Sequence, residues 1–264
     1  MKFTALLAGL VLGTSMVSAE HHGLDAVLKA EHRSETMARD VYRHPKETLE
    51  FFQVKPDMKV IEISPGGKGW YTEILAPYMK GKGKLVLGHY DKNTESSYFQ
   101  RNYKSLMDKL SGSPELYDQV EIATFHPPGV YDLGEMGTYD RVVTFRNVHN
   151  WMRHGDDEMA AIFKLFYDSL KPGGKLGVID HRLPEDREKN GQGGYVKQSY
   201  VVALAEAAGF KLEASSEINA NAKDTADYEK GVWTLPPVLR LGNEDREKYL
   251  AIGESDRMTL LFVK

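Results

Sequence analysis

The sequence predicts an α/β fold: a seven-stranded, mostly parallel sheet with helices on both faces. Three observations carry that prediction. Short apolar runs rich in β-branched residues alternate with helix-period stripes along most of the chain. Alternation of this kind needs crossover connections, which make neighbouring strands parallel and lay helices over the sheet. The first apolar run ends in an acid and breaks into a glycine-bearing turn that opens a helix, over Val60-Ile61-Glu62-Ile63-Ser64-Pro65-Gly66-Gly67-Lys68-Gly69-Trp70-Tyr71-Thr72. Polar residues gather where successive runs end: Ser64–Gly69, Asp91, Arg146–Asn150 and His181-Arg182. In parallel sheets ligands sit beyond those carboxyl ends, and polar side chains so close to core strands cost burial energy unless paired or wet.

Residues 1–19 read as a signal peptide. Lys2 is a minimal positive start, Phe3 to Gly13 an apolar stretch too short to span a bilayer, and Val17-Ser18-Ala19 a small-residue cleavage site. No later stretch is long and apolar enough to cross a membrane, so the expected location is periplasmic or secreted. Cleavage after Ala19 would leave Glu20-His21-His22, whose amine, amides and third-position histidine suit square-planar Cu(II), although a frayed polar terminus looks the same.

A helical segment is expected over 20–56, with an apolar stripe of mixed quality from Leu24 to Phe52. It carries Arg39 and Arg43 on one face and ends or restarts at Pro45. The two arginines suit an anionic substrate or a salt-bridged solvent face. The sheet domain then runs 57–264. Met58–Ile63 is the first strand and Lys84–Asp91 the second. Asp91 lies twenty-two residues after Gly69, where nucleotide-binding folds hold ribose hydroxyls. Phe99, Tyr103, Leu106, Met107 and Leu110 give the next helix its buried face. Val120–Phe125 and Tyr139–Phe145 are strands three and four. Asp156 to Leu170 is a helix with acids in its first turn, stopped by Lys171-Pro172-Gly173-Gly174. Lys175–Asp180 is strand five, Leu183–Gly194 a charged mobile loop, Tyr195–Ala208 a helix and Phe210–Ile218 strand six. An irregular insertion over 219–256 precedes strand seven, Met258–Val263.

The 264 residues are 41% hydrophobic and 27% charged, with a net charge of −4 and no basic block. That composition is globular and disfavours nucleic acid as a main partner. The absence of cysteine excludes disulfides, thiolate metal sites and a cysteine nucleophile.

Glu62 to Thr72 resembles motif I of class I S-adenosylmethionine-dependent methyltransferases. Tyr139-Asp140-Arg141-Val142-Val143 to Asn147 resembles their motif IV, and Leu170-Lys171-Pro172-Gly173-Gly174 the turn before their fifth strand. Gly69–Leu75, Phe145–Met152 and Gly253–Leu260 are similar to a group of bacterial predicted methyltransferases that carry signal peptides. The resemblance implies a Rossmann-like sheet with an antiparallel last strand, S-adenosylmethionine as cofactor and a small-molecule acceptor. Glu62, Ser64, Gly66, Gly67, Gly69, Asp91, Thr124 and Arg146 are then the expected cofactor residues. His149, Asn147 and His181 are the catalytic candidates, and Tyr71, Arg182, Arg39, Arg43 and Asn150 the substrate contacts. His149 suits a general base because imidazole titrates near working pH. No metal is expected, although His149 and His181 with a carboxylate form an alternative metal set. The loop departs from the family form: Ser64 stands where the first glycine is usual, and Lys68 is an added residue. Export away from cytoplasmic S-adenosylmethionine favours a second reading, a binding protein for another nucleoside-like or small anionic ligand. Oligomeric state is left open.

Overall fold

The computed structural model describes residues 23–188 and 190–264. The expected leader and the Glu20-His21-His22 terminus lie outside them. Among the described residues nine strands form, two more than expected: β1 Lys59–Ile63, β2 Lys84–His89, β3 Glu121–His126, β4 Val130–Asp132, β5 Tyr139–Phe145, β6 Leu170–Leu183, β7 Val196–Lys197, β8 Lys211–Ser216 and β9 Arg257–Val263. The α-helices are α1 Leu24–Leu28, α2 Asp40–Arg43, α3 Pro45–Phe51, α4 Thr72–Met79, α5 Ser97–Gly112, α6 Pro114–Tyr117, α7 Val148–Trp151, α8 Asp156–Ser169, α9 Gln198–Ala207 and α10 Arg246–Ile252.

The sheet order is β4-β3-β2-β1-β5-β6-β9-β8, with β7 paired to β6. Strands β1, β2, β3, β5 and β6 run parallel, and β9 is antiparallel to both neighbours, as the resemblance implied. The two additional strands, β4 and β7, are short. β4 folds back on β3 after the turn at His126–Gly129, and three residues carry too little alternation to stand out in sequence. The Leu24–Phe52 segment restarts at Pro45 as expected, where His44 adopts φ +38, but it is more broken before that point, with 3-10 turns at Glu31–Arg33 and Met37–Arg39 between α1 and α2.

Alternation along the strands divides the core. Ile61, Ile63, Val142, Leu260 and Phe262 face α8 and α9, whereas Val60, Val143 and Leu261 face α3, α4 and α5. Gly177 lets Phe52 lie on the sheet, since a Cβ there would stand 2.6 Å from the ring. β1 pairs β2 on one side and β5 on the other, so the strand order reverses at its carboxyl end. Such a switch point opens a crevice, and the glycine turn enters it. Among the described residues no helix is long and apolar enough to cross a membrane.

Candidate active site at the carboxyl edge

Register fixes what meets at this edge. Ile63 pairs with Thr144 and Gly88, and Phe145 with Ile179, so Ser64, Arg146 and Asp180-His181 emerge side by side. Ser64, Arg146 and His181 line a cleft of about 270 Å³ with Pro65, Gly66, Asn147, His149 and Asn150, and Asp180 lies behind it. Val232, Trp233, Pro236, Pro237 and Val238 form its opposite wall, so the 219–256 insertion covers the cleft.

The turn is shaped by its backbone. Ser64 has φ +54 and Arg146 φ +65, left-handed values that side chains rarely adopt. Strain of that kind persists where surrounding contacts enforce it, often at functional sites. Here the Ser64 amide donates to Gly88 O (2.8 Å) and the Arg146 amide to Ile179 O (2.7 Å). Asn147 clamps the edge together, its Nδ2 donating to Ile63 O, Ser64 O and Thr144 Oγ1 at 3.1, 3.2 and 3.0 Å. Of the three predicted glycines, only Gly66 faces open space. A Cβ at Gly67 would meet Asn102, and one at Gly69 would meet Leu106.

His149 is held by Asp180. Oδ1 receives the imidazole Nδ1 at 2.8 Å, and Oδ2 the His149 amide at 3.1 Å. An ionised carboxylate only accepts, so Nδ1 carries the proton and Nε2 is left as the basic nitrogen. His181 is buried, with Nδ1 bonded to Ser255 Oγ and its amide donating to Asp180 Oδ1 at 2.7 Å. Burial, with positive charge from neighbouring groups, pushes its pKa well below the usual imidazole value and keeps it neutral. Candidate ligand atoms of His149, Asp180 and His181 lie within 4.8 Å of one another, the spacing of a metal site.

Arg39 and Arg43 reach the same edge from the N-terminal segment and meet Glu254 and Arg257. Arg39 Nε stands 2.5 Å and Arg43 Nε 3.7 Å from the Glu254 carboxylate, which Arg257 also contacts. Arg43 stacks on Trp70 at 4.4 Å. Despite its burial, Glu254 has its pKa drawn down to about 2 by Arg257, Arg39 and Arg43. Tyr71 supports this wall from behind, stacked 3.5 Å from Phe145 with its hydroxyl donating to Arg43 O.

Other predicted residues go elsewhere. Arg182 turns away from the cleft to Asp256 and Glu217, because successive strand residues point to opposite faces. Glu62 faces the α4 side, where it accepts a hydrogen bond from Thr72 (2.7 Å); burial raises its pKa to about 7. Asp91 stands just past β2, with one carboxylate oxygen closing a turn onto the Asn93 amide and its own amide donating to His126 Nδ1. Thr124 sits inside the ladder between His89 and Asp132, and Phe125 is buried against Trp151, because β3 runs on to His126. The edge there is instead aromatic: Tyr90, Phe99 and His126 lie 4.5–5.6 Å apart, and Tyr90 and Phe99 line a separate small pocket that shares Asn147 and Asn150 with the cleft. Sequence reasoning missed these rings and assigned no role to Asp180, Trp233, Glu254 or Arg257. The Glu254–Arg257 pairing at i, i+3 was the available signal. A larger cavity of about 500 Å³, lined by Asp186, Glu188, Tyr195 and Asp227 among others, holds none of the predicted site residues, although its Tyr195 ring stands 6.2 Å from that of His181.

No protein-family model matches the sequence, and no curated protein matches it. Solved structures do. A SAM-dependent methyltransferase from Aquifex aeolicus is 13% identical, with a TM-score of 0.57 over 92% of this chain and 98% of its own. The [4+2]-cyclase SpnF is 12% identical, with a TM-score of 0.57 over 84% of this chain and 80% of its own. A proposed sarcosine dimethylglycine methyltransferase from Galdieria sulphuraria is 14% identical, with a TM-score of 0.55 over 94% of each chain. At these identities the likeness shows the fold, which is the Rossmann-like α/β fold of class I methyltransferase structures.

Proposed function

We propose that the chain is an S-adenosylmethionine-dependent methyltransferase of small molecules, exported by its leader. The observation that carries the reading is the meeting, at the switch point of this fold, of an open turn at Gly66 with a histidine base backed by a buried carboxylate. The residues present fit the cofactor. Gly66 leaves room for close approach, Asp91 just past β2 would meet the ribose, and Tyr90 with Phe99 would offer ring faces to an adenine.

When bound, S-adenosylmethionine supplies a methyl group on a sulfonium, ready for in-line displacement. The protein's part is positioning and exclusion of water. The Val232–Val238 wall closes the cleft over His149, with Trp233 6.4 Å from the imidazole. Asp180 fixes the tautomer, so Nε2 takes the proton that an acceptor hydroxyl or amine gives up and Nδ1 keeps its own. Asn147 spends its amide on the turn, which makes it a positioning residue; Asn150 stays exposed at the rim.

Calorimetric titration with S-adenosylmethionine and S-adenosylhomocysteine tests the reading. Binding weakened about tenfold or more by Asp91→Ala, the size expected for loss of charged hydrogen bonds, supports it. Absence of binding at millimolar ligand would sink it. The Arg39–Arg43–Arg257 cluster then favours a binding protein for a small anion.

A further inference from the structure

The basic cluster is larger than its one acid can neutralise. Arg39, Arg43, Arg146 and Arg257 surround Glu254, an excess of three positive charges, or two if Asp180 is counted. Arg43 and Arg257 are 3% and 2% exposed. Buried charges of one sign are costly unless something pairs them. Buried donors here lack partners: Arg39 Nη2, Arg43 Nε and Nη2, Arg257 Nε and Ser64 Oγ have no hydrogen bond among the described residues. Ser64, Arg146 and Arg257 line the cleft itself, beside Ser255 and His181.

We infer that this wall is an anion subsite, and that the acceptor is a small acid carrying a carboxylate or phosphate seated on Arg146, Arg257 and Ser64, so that Ser64 and Arg146, expected at the cofactor, serve the acceptor instead. The inference rests on the methyltransferase reading for the word acceptor. The cofactor cannot be the matching anion. Its one carboxylate can pair with only one guanidinium, and its ammonium and sulfonium raise the charge of the edge, so the remaining arginines still lack a counter-anion. A cation at His149, Asp180 and His181 fares no better. It would sit in the field of the same arginines and would compete with the Asp180 and Ser255 bonds that already hold the two imidazoles. Guanidinium forks with free N–H groups match carboxylate and phosphate oxygens.

The experiment is a melting and calorimetric titration of the purified protein with sodium phosphate, against sodium chloride of equal ionic strength, with and without saturating S-adenosylhomocysteine. Phosphate is expected to raise the melting temperature where chloride does not, and to bind with S-adenosylhomocysteine in place. Arg146→Gln is expected to weaken phosphate about ten- to a hundredfold, and Ser64→Ala less. Their melting curves without phosphate report whether each still folds. Equal shifts in phosphate and chloride, unchanged affinity in both variants, or displacement of phosphate by S-adenosylhomocysteine would each overturn the inference. So would stabilisation by zinc chloride without any response to phosphate. Phosphate binding with no response to S-adenosylhomocysteine keeps the anion subsite and removes the methyltransferase reading.

Discussion

Two regions flanking β1 handle buried charge in opposite ways. On the α4 side, Glu62 accepts from Thr72, and Glu73 receives Lys109 and the Thr36 hydroxyl; these acids have their donors. At the cleft wall, Arg39, Arg43 and Arg257 share Glu254 with Arg146 close by, and several N–H groups of the first three have no partner among the described residues. The first region is closed on itself, and the second is complete only with something added. Folded proteins pair nearly all buried polar atoms, so a cluster of exceptions marks a place for a ligand more sharply than a conserved-looking motif does.

Removing the shared acid should have the largest effect. Glu254→Gln leaves Arg39, Arg43 and Arg257 without the carboxylate they share, and a loss of about 3–5 kcal/mol in urea unfolding at pH 7 is expected. Because Glu254 ionises at about 2 in the fold, its contribution is present above the usual carboxylate range and is lost as pH falls from there towards 2. The acid limb of the stability curve should therefore flatten in the variant. A wild-type-like curve would mean that water and counter-ions screen the arginines without Glu254.

On the opposite side the sign reverses. Glu62 keeps its proton up to about pH 7 in the fold but only to the usual carboxylate range when unfolded, so stability falls as pH rises between the two. Glu62→Gln keeps an acceptor for Thr72 and removes the charge. It should stabilise by roughly 1–3 kcal/mol at pH 8 and by almost nothing at pH 4, read from melting curves. A pH-independent effect would place Glu62 in a wetter site than its burial suggests.

The smallest effect is expected at Arg182, whose partners Glu217 and Asp256 lie outside the cleft. Arg182→Gln should cost at most about 1 kcal/mol and leave binding of S-adenosylhomocysteine and phosphate unchanged. A change in either affinity would show that the outer pair steers the strand end carrying His181.

The sequence by itself determined the alternating elements, the parallel core strands, the turn after β1 and the clustering of Ser64, Arg146, His149 and His181 at strand ends. These follow from short-range periodicity and from the rule that ligands meet the carboxyl edge of such sheets. It did not separate His181 from Arg182 or turn Glu62 inward, because the face a strand residue takes depends on register with its neighbours. Only the tertiary structure decided the chemistry of the cleft. Arg39 and Arg43 come from the first fifth of the chain, while Glu254 and Arg257 come from its last dozen residues. Charges that far apart in sequence interact only once the sheet has brought them within a few ångströms, where Coulomb energy becomes large.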